Sequence, residues 1–298
     1  METDAFSAPG RFYRGNIHTH STRSDGRLEP AEVCRTYRDS GYDFLCLSDH
    51  FLGKYGFPIT DTTGFRTNRF TTILGAEIHA LANSQGELWH ILAAGLPAEF
   101  APTAEDEDGV ALATRARAAG AFVGIAHPQW SGLTIEDGRA MAHAAHAVEI
   151  YNHGCALEST RADGTYLLDQ LLDQGRRLTA YAADDAHFRF ADGFGGWMMV
   201  KAEANEAEAL LDAMKAGRFY SSQGPIIHTF AVEGGEAHVE CSAVNNIAVV
   251  GRGSRVSHRF APQQTRAVLP AGIFAGDWCR LVITDAAGNS AWSNPFWL

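Results

Sequence analysis

Apolar runs and helical segments alternate along most of the first 220 residues of this chain. Runs that read as strands are "RFYRGNIHTH", "DFLCLSDH", "FTTILGAEIHAL", "ELWHILAAGL", "AFVGIAHPQW", "AVEIYNH" and "LTAYAADDAH". Segments that read as helices are "EPAEVCRTYRDSGY", "EDGVALATRARAAG", "TIEDGRAMAHAA", "TYLLDQLLDQGR" and "EANEAEALLDAMKAGRF". Because such alternation is typical of α/β proteins, the pattern predicts an α/β fold built on a parallel sheet or a barrel.

Polar residues gather where these apolar runs end. The pattern is visible in "LSDH", "GAEIH", "IAHP", "EIYNH" and "AADDAH". In parallel α/β folds the carboxyl ends of the strands carry the active site. We therefore expect His, Asp and Glu side chains from several strands to meet at one end of the sheet or barrel.

His18 and His20 lie two residues apart in "GNIHTHSTRSDG", and Asp25 follows five residues later. In a strand, residues i and i+2 point to the same face. The two imidazoles would then lie side by side, which suits two ligands of one ion, and the "SDG" turn would present a carboxylate nearby. Taken alone, the stretch is equally compatible with satisfied polar histidines on a half-exposed strand.

Nine residues at these positions are candidate metal ligands. Imidazole and carboxylate ligands suit zinc, manganese or iron(II), and the absence of thiolates disfavours a structural zinc site. Because nine ligands are too many for one ion, we expect two or three divalent ions that share a carboxylate such as Glu77. For His90 the alternative is a buried histidine bonded to the backbone. The nine are His18, His20, Asp25, His50, Glu77, His90, His127, Asp185 and His187.

Paired ions of this kind suit hydrolysis. Two ions about 3.5–4 Å apart can hold a hydroxide between them and polarise the bond that it attacks. No protein nucleophile is then required, and the sequence contains neither a GxSxG elbow nor a GxxxxGK[ST] phosphate loop. We therefore predict a metal-dependent hydrolase whose catalytic residues are the ligands His18, His20, Asp25, His50, Glu77, His127, Asp185 and His187.

The pattern changes near residue 221. Short alternating strands and Gly-rich turns follow in "SSQGPIIHTFAVEGGEAHVECSAVNNIAVVGRG", and "DWCRLVITDAAGNSAWSNPFWL" reads as a hairpin across Ala-Ala-Gly-Asn. Such a run of strands without helices predicts a separate β unit. We expect a hydrolase domain over 1–220 and a small all-β, sandwich-like domain over 221–298.

The composition restricts the class of protein. A net charge of −11 disfavours broad binding to a nucleic-acid backbone, and five cysteines without a CxxC pair do not predict a disulfide framework. No stretch approaches the ~18 uncharged apolar residues of a membrane-spanning helix. The start "METDAFSAPG" lacks the basic and apolar regions of a signal peptide. We therefore expect a cytoplasmic protein that does not bind membranes.

The stretches "HTHSTRSDG", "LSDH", "GAEIH", "WHILAAG", "AHP" and "DDAH" resemble, in order, the motifs of the PHP (polymerase and histidinol phosphatase) superfamily. The resemblance covers about residues 11–220 and implies a distorted (β/α)7 barrel. "AGRFYSSQGP" and "AWSNPFWL" resemble the branch with carbaryl-hydrolase-like enzymes, which carries a C-terminal β domain. The implied ion sets are His18, His20, Glu77 and Asp185; Glu77, His90 and His127; and Asp25, His50 and His187.

Five further residues are candidate substrate contacts. Arg161 and Arg189 are the cations best placed to hold an anionic group, and either could do so with two parallel hydrogen bonds. Asn152 matches a position that the PHP family often fills with Asn. His153 is a candidate general acid, and His79 should share the face of the Glu77 carboxylate, where it could line the site or orient a ligand.

Three functions compete on this basis. The first is a metal-dependent phosphoesterase that acts on a small, anionic phosphate ester. The second is a hydrolase of carbamate or carboxylic esters that uses the same ligands with a more apolar pocket. The third is a non-catalytic metal-binding protein, which is disfavoured because a decayed site should have lost ligands and all nine positions are filled. The sequence leaves the substrate, the native metal and the oligomeric state open.

Overall fold

The computed structural model describes residues 5–298. Residues 1–4 lie outside the described residues; they belong to the N-terminal stretch for which the sequence predicts no signal peptide. The described chain forms sixteen strands, six α-helices and short 3-10 turns at Gly53–Tyr55, Thr63–Phe65 and Gly272–Phe274. The helices are α1 (Pro30–Asp39), α2 (Gly109–Ala118), α3 (Ile135–Met141), α4 (His153–Ser159), α5 (Thr165–Asp173) and α6 (Ala207–Lys215). The strands are β1 (Arg11–Asn16), β2 (Phe44–Leu47), β3 (His50–Phe51), β4 (Thr71–Ala80), β5 (Trp89–Ala94), β6 (Phe122–Ile125), β7 (Ala147–Asn152), β8 (Thr179–Ala183), β9 (Trp197–Ala202), β10 (Phe219–Ser222), β11 (Ile227–Glu233), β12 (Glu236–Gly251), β13 (Val256–Pro270), β14 (Trp278–Thr284), β15 (Ser290–Ser293) and β16 (Phe296–Trp297).

Seven strands from the first part of the chain pair in the order β1-β2-β4-β5-β6-β7-β8, as part of a mixed α/β fold. Four of the pairs are parallel, as expected, but β5 runs antiparallel to both β4 and β6. The expectation of a parallel sheet is therefore wrong at β5. The reason is the connection from β4 to β5, residues 81–88, because a parallel pair needs a crossover of about a dozen residues or more.

The two ends of this seven-stranded series approach each other. β1 ends before His18 and His20, although the predicted strand included both, and Thr19 between them forms an isolated parallel bridge with Ala186. Asp185 N donates to His18 O at 2.8 Å, and His20 N donates to Ala186 O at 2.9 Å. The segment after β8 thus meets the segment after β1. The distorted (β/α)7 barrel stays a prediction.

The helices place an apolar side against the sheet. On α5 the four buried leucines recur at the three- and four-residue spacing of one helical face. They join a large core cluster that includes side chains of β6, β7 and β8. Burial of each leucine contributes about 1.5–3 kcal/mol. The four are Leu167, Leu168, Leu171 and Leu172.

The strands after β8 continue the same hydrogen-bonded sheet. β9 pairs antiparallel with β1, β10 pairs with β9, and β15, β14, β12 and β11 follow in that order. β10 spans the expected domain boundary between positions 220 and 221 and is paired on both sides. The division into 1–220 and 221–298, and the sandwich-like form of the second unit, stay predictions.

Side chains of the later strands complete the free edge of β8. Ser221 Oγ donates to Ala180 O and accepts from Ala182 N, both at 2.9 Å. Asn294 Oδ1 accepts from Ala180 N at 2.8 Å. These bonds satisfy backbone groups that have no neighbouring strand to pair with. They hold the strand from which Asp185 extends.

The same strands are also tied to α5. Arg280 on β14, whose side chain is 7% exposed, donates to both carboxylate oxygens of Asp169 at 2.8 and 2.9 Å. Trp278 Nε1 donates to Asp173 Oδ1 at 2.9 Å. Because a charged, two-point contact between Arg and a carboxylate is specific in geometry, it fixes the later strands on this helix.

The cysteines and the lengths of the helices bear on the environment of the chain. All five cysteines are buried and none forms a disulfide. Among residues 5–298 no helix combines the length and the apolar character that crossing a bilayer would need. The cytoplasmic location stays a prediction.

Candidate metal centre

The structure brings all nine candidate ligands together at one end of the sheet. His90 reaches this end because β5 runs antiparallel, which puts the start of β5 beside the later residues of β4. The sequence pattern did not predict the antiparallel direction of β5, and this direction is what places His90 in the cluster. The others are placed by the segments after β1 (His18, His20, Asp25), by β3 (His50), by β4 (Glu77) and by the segments after β6 (His127) and β8 (Asp185, His187).

The Glu77 carboxylate lies in the middle of the cluster and is fully buried. Its Oε1 is 2.6 Å from His90 Nδ1 and 3.2 Å from His127 Nε2. Its Oε2 is 2.7 Å from His50 Nδ1, and the Nε2 atoms of the two histidines after β1 lie 3.6 and 3.7 Å from it. One carboxylate thus faces five imidazoles, an arrangement suited to bridging two ions.

Two further carboxylates lie on the side of the cluster nearest β8. Asp185 Oδ1 is 2.9 Å from His20 Nε2 and 3.3 Å from His18 Nε2. Asp25 Oδ1 is 3.3 Å from His187 Nε2. Each aspartate therefore lies close enough to share an ion with imidazoles from another segment of the chain. Only folding brings these segments together.

The ligand atoms fall into four overlapping groups, and within each group they lie within 4.8 Å of one another. Two of these groups differ from the ion sets that the PHP resemblance implies. His20 joins the set of Asp25, His50 and His187, whereas the set of Glu77 and His90 gains His50 and His79 and lacks His127. The groups are His20, Asp25, His50 and His187; His50, Glu77, His79 and His90; His18, His20 and Asp185; and His18, Glu77 and His127.

The donor set fits divalent cations. Among the described residues, four buried ligand atoms in this cluster make no hydrogen bond of acceptable geometry, although other ligand atoms lie close to them: His18 Nε2, His20 Nδ1, Asp25 Oδ1 and Glu77 Oε2. Each buried polar atom left without a partner costs about 1–3 kcal/mol. Cations bound between these atoms would remove that cost, and imidazole with carboxylate is a ligand set for zinc, manganese or iron(II).

The electrostatics of the cluster also call for positive charge. Burial alone would raise the pKa of Glu77, but the charge of the neighbouring histidines, His50 foremost, holds that pKa well below its usual value. The pKa of Asp185 is likewise well below its usual value, because the charge of His18 outweighs burial. Burial and then the charge of neighbouring histidines lower the pKa of His20 to about 4. Buried carboxylates that stay ionised need a cationic partner, which the histidines supply in the metal-free protein and bound cations would supply in their place.

Glu149 on β7 contacts two candidate ligands, and the sequence patterns did not single it out. Its fully buried Oε1 accepts from His18 Nδ1 at 2.9 Å, and its Oε2 accepts from His127 N at 2.6 Å and Asn152 Nδ2 at 3.0 Å. The bond from Nδ1 leaves His18 Nε2 free to face the cluster, as in carboxylate–histidine–metal arrangements. The available signal was an acidic residue inside the apolar run "AVEIYNH".

We expect Glu149→Gln to weaken metal binding by about 10- to 100-fold, because partners that orient ligands have effects of this size. A glutamine side chain has one acceptor oxygen, whereas Glu149 receives three donors, so His18 or the His127 backbone loses its partner. Calorimetric titration of metal-stripped protein measures the affinity. Glu136→Gln on the exposed side of α3 is the matched control, and equal affinity in both variants would contradict this role.

The two aspartates of "DDAH" have separate roles. Asp184 accepts from Tyr37 Oη at 2.7 Å and from the backbone N–H groups of residues 194–196 at 2.8–2.9 Å, away from the ligands. Asp185 has φ 55°, in the left-handed region, and His127 has φ 24°. Positive φ is uncommon for residues with a side chain and occurs often at functional sites. The backbone turn at Asp185 directs the second carboxylate to the cluster.

Asp49, from "LSDH", holds the loop that carries Asp25. Its buried carboxylate accepts from Ser21 N at 2.7 Å, Ser21 Oγ at 2.8 Å and Ser24 Oγ at 2.7 Å. The loop between the histidine pair and Asp25 is therefore fixed by side-chain bonds rather than by a regular element. This contact orients one ligand without itself belonging to any of the ligand groups.

A cavity of about 260 Å³ opens onto the cluster. Arg189 lines it, and its Nη2 donates to Asp25 O at 2.6 Å and Asp25 Oδ2 at 3.1 Å. Its side chain is 56% exposed, so it remains accessible from the cavity. Of the five candidate substrate contacts, Arg189 is the one that lines the cavity.

The other four candidates lie elsewhere around the centre. Asn152 is buried behind the ligands, donates to two carboxylates of the site and caps α4, a helix that the pattern did not predict. His79 is buried, with its Nε2 2.9 Å from His50 Nδ1. His153 is bonded to a tyrosine hydroxyl, and Arg161 is exposed; neither lines the cavity. Their roles in substrate binding stay predictions.

Comparison with known proteins rests on structure alone, since no protein-family model and no curated protein sequence matches this chain. An amidohydrolase from Chromobacterium violaceum, with sulfate bound and no metal, is 14% identical with a TM-score of 0.43 over 60% of this chain and 89% of its own. That score is too low to support a conclusion.

A second similar structure covers nearly the whole chain. It is a two-domain protein from Bacteroides vulgatus that contains a predicted PHP-like metal-dependent phosphoesterase. It is 15% identical, with a TM-score of 0.55 over 99% of this chain and 98% of its own. At this identity the likeness concerns the fold, and nothing in it bears on the carbaryl-hydrolase-like branch. The chain therefore has the overall α/β fold of this PHP-like two-domain protein.

Proposed function

We propose that this protein is a metal-dependent phosphoesterase of the PHP superfamily that hydrolyses a small, anionic phosphate ester. The observation that carries the proposal is the convergence of His, Asp and Glu ligand atoms in one buried cluster with unpartnered atoms. The fold shared with a PHP-like protein, itself described as a predicted metal-dependent phosphoesterase, supports the same class. The two oxygens of Glu77 face different imidazoles, which supports more than one ion in the proposed site.

In this proposal two or three divalent ions, zinc, manganese or iron, divide the ligands as the PHP resemblance implies. Ions bound there supply a nucleophile from water at neutral pH and neutralise charge on the ester. The protein side chains hold the ligand geometry: Glu149 orients His18, and Asp49 fixes the loop of Asp25. The three sets are His18, His20, Glu77 and Asp185; Glu77, His90 and His127; and Asp25, His50 and His187.

Arg189 is proposed to bind the phosphate oxygens. Among the described residues it is the only Lys or Arg that lines the cavity. A guanidinium can bond two oxygens of a phosphate in parallel, and it stabilises the charge that gathers on them in the transition state. Its bond to Asp25 holds the guanidinium next to the ligand cluster.

A carbamate or carboxylic ester is the second candidate substrate. Two aromatic side chains line the same cavity, Trp130 and Phe190, and an apolar lining suits an uncharged ester. Arg189 is the one Lys or Arg among the described residues that line the cavity, and it is already bonded to Asp25. These observations keep this alternative open within the same hydrolase class.

Turnover of p-nitrophenyl phosphate and 1-naphthyl N-methylcarbamate separates the two candidates in protein reloaded with manganese, zinc or iron(II). We expect p-nitrophenol release, and in Arg189→Ala about a 10- to 100-fold lower kcat/KM for the phosphate, as for the loss of a charged transition-state contact. Arg161→Ala is the matched control, because Arg161 does not line the cavity. Release of naphthol alone would favour the carbamate ester. Release of neither product, with metal verified as bound, would exclude these two substrates and leave the hydrolase class standing.

A further inference from the structure

Two aromatic side chains stand exposed where the cavity opens. Trp130 is 39% exposed and Phe190 is 48% exposed, although large apolar side chains of this kind are usually buried. They lie on different loops, after β6 and after β8, and both line the cavity over the ligand cluster. Exposed aromatic surface beside convergent polar groups is typical of a binding site rather than of a bare surface.

Trp130 is held in place by the cluster itself. Its ring meets His127 and His90 edge to face, with ring centroids 5.0 and 5.5 Å apart. The loop that carries it is closed by a bond from Ser131 N to His127 O at 3.0 Å and by the contact of Ser131 Oγ with His127 Nδ1 at 2.9 Å. One side of the tryptophan therefore rests on candidate ligands, and the rest of its ring faces the cavity.

Phe190 lies in a turn that Asp192 fixes. The Asp192 carboxylate, on a residue that is 1% exposed, accepts from His187 N at 2.9 Å and Phe188 N at 3.0 Å. Asp192 N donates to Phe190 O at 2.9 Å. Because these bonds fix the turn, little conformational freedom is lost when a ligand in the cavity contacts the phenyl ring.

The charges at this opening disfavour a second negative group on the substrate. Glu158, which is exposed, lines the cavity, and Arg189, bonded to Asp25, is the one Lys or Arg among the described lining residues and is proposed to hold the reacting ester. A second anionic group on the substrate would therefore meet the Glu158 carboxylate and no further Lys or Arg in the described lining. The cavity volume of about 260 Å³ lies near the lower end of ligand sites, which limits the apolar part to about one ring.

We infer that Trp130 and Phe190 bind the uncharged, apolar leaving group of the ester, so the substrate class is an ester of an aromatic or similarly apolar alcohol. The inference rests on the proposed hydrolysis at the metal centre and adds the part of the substrate that confers specificity. On hydrolysis the ester oxygen–phosphorus bond breaks, water supplies the new oxygen on phosphorus, and the apolar alcohol leaves with the proton.

The test compares esters that differ in the apolar group but have leaving alcohols of similar acidity. Benzyl phosphate and methyl phosphate form one pair, and benzyl acetate and methyl acetate form the other. We expect the benzyl ester to have about a 10- to 100-fold higher kcat/KM, the effect of burying one ring. 4-Carboxybenzyl phosphate should react more slowly than benzyl phosphate, and Glu158→Gln should narrow that difference.

Three variants test which side chains cause the preference for the benzyl ester. Trp130→Ala and Phe190→Ala should each lower kcat/KM for the benzyl ester about tenfold more than they lower it for the methyl ester, so that the ratio of the two values falls toward one. Phe260→Ala is the matched control, because Phe260 is 72% exposed on β13 and does not line the cavity. Metal content is measured in each variant, since Trp130 touches two candidate ligands.

The outcomes separate this inference from the proposed phosphoesterase. A benzyl preference among acetates, with no phosphate turnover, would leave the inference standing and contradict the phosphoesterase. If no ester turns over, calorimetry with benzylphosphonate and methylphosphonate decides, and equal affinity or no binding overturns the inference. Equal rates for benzyl and methyl esters, or a preference that survives in both Trp130→Ala and Phe190→Ala, would also overturn it.

Discussion

Glu77→Gln should lower turnover by about 10³-fold or more. A 10³-fold loss of rate corresponds to about 4 kcal/mol of transition-state stabilisation, and a bound metal ion supplies several kcal/mol. The carboxylate faces five imidazoles from four segments of the chain, and in the proposed site it is the residue that would join two ions. Glutamine has nearly the same shape but lacks the charge, so the fold should persist while metal binding falls.

The measurements for this variant are metal content per chain by mass spectrometry and kcat/KM on the best ester. Glu87→Gln is the matched control, because Glu87 is exposed in the connection between β4 and β5, only ten residues along the chain. A Glu77→Gln protein that retains both its metal and its turnover would remove the basis for a centre shared through this carboxylate.

Chelation should abolish turnover and lower the melting temperature by several degrees, with both restored by manganese, zinc or iron(II). A ligand present at 100 times its Kd raises the free energy of unfolding by about 2.7 kcal/mol. For a chain of this size each kcal/mol shifts the melting temperature by about 2–4 °C. The buried atoms without partners, such as His18 Nε2 and Glu77 Oε2, are where the metal-free protein loses that stabilisation.

A thermal melt with and without chelator measures this effect, and the Glu77→Gln variant serves as its reference. If the ions bind through the cluster, chelator should lower the melting temperature of the variant much less than that of the wild-type chain. An equal shift in both proteins would place the stabilising metal elsewhere. Turnover that persists after complete removal of metal would contradict metal-dependent hydrolysis.

Much of the fold could be predicted because local patterns record burial. The leucines of α5 recur at helical spacing, and the apolar runs of β2, β6 and β8 match buried strands. The direction of β5 was not predictable from its own composition, because direction depends on which neighbour the strand pairs with. α4 was missed because it is short and depends on a cap from Asn152.

In the candidate site, too, some features were predictable from local sequence and others were not. The nine candidate ligands were found from residue type and position after apolar runs, and the structure brings all nine together. Glu149 and Asp49 were missed as supporting residues because their partners lie far away in sequence. Glu149 and His18 are 131 residues apart, and Asp49 and Ser21 are 28 apart. Single-sequence patterns carry no record of such pairs.

The sequence by itself determined the chemistry that is available: imidazoles and carboxylates without thiolates, placed where strands end, in an acidic α/β chain. Only the tertiary structure decided which nitrogen and oxygen atoms face one another, that Arg189 lines the cavity while Arg161 does not, and that Trp130 and Phe190 flank it. The physical reason is that residue type sets what an atom can bind, whereas distance and direction arise only when remote segments pack together.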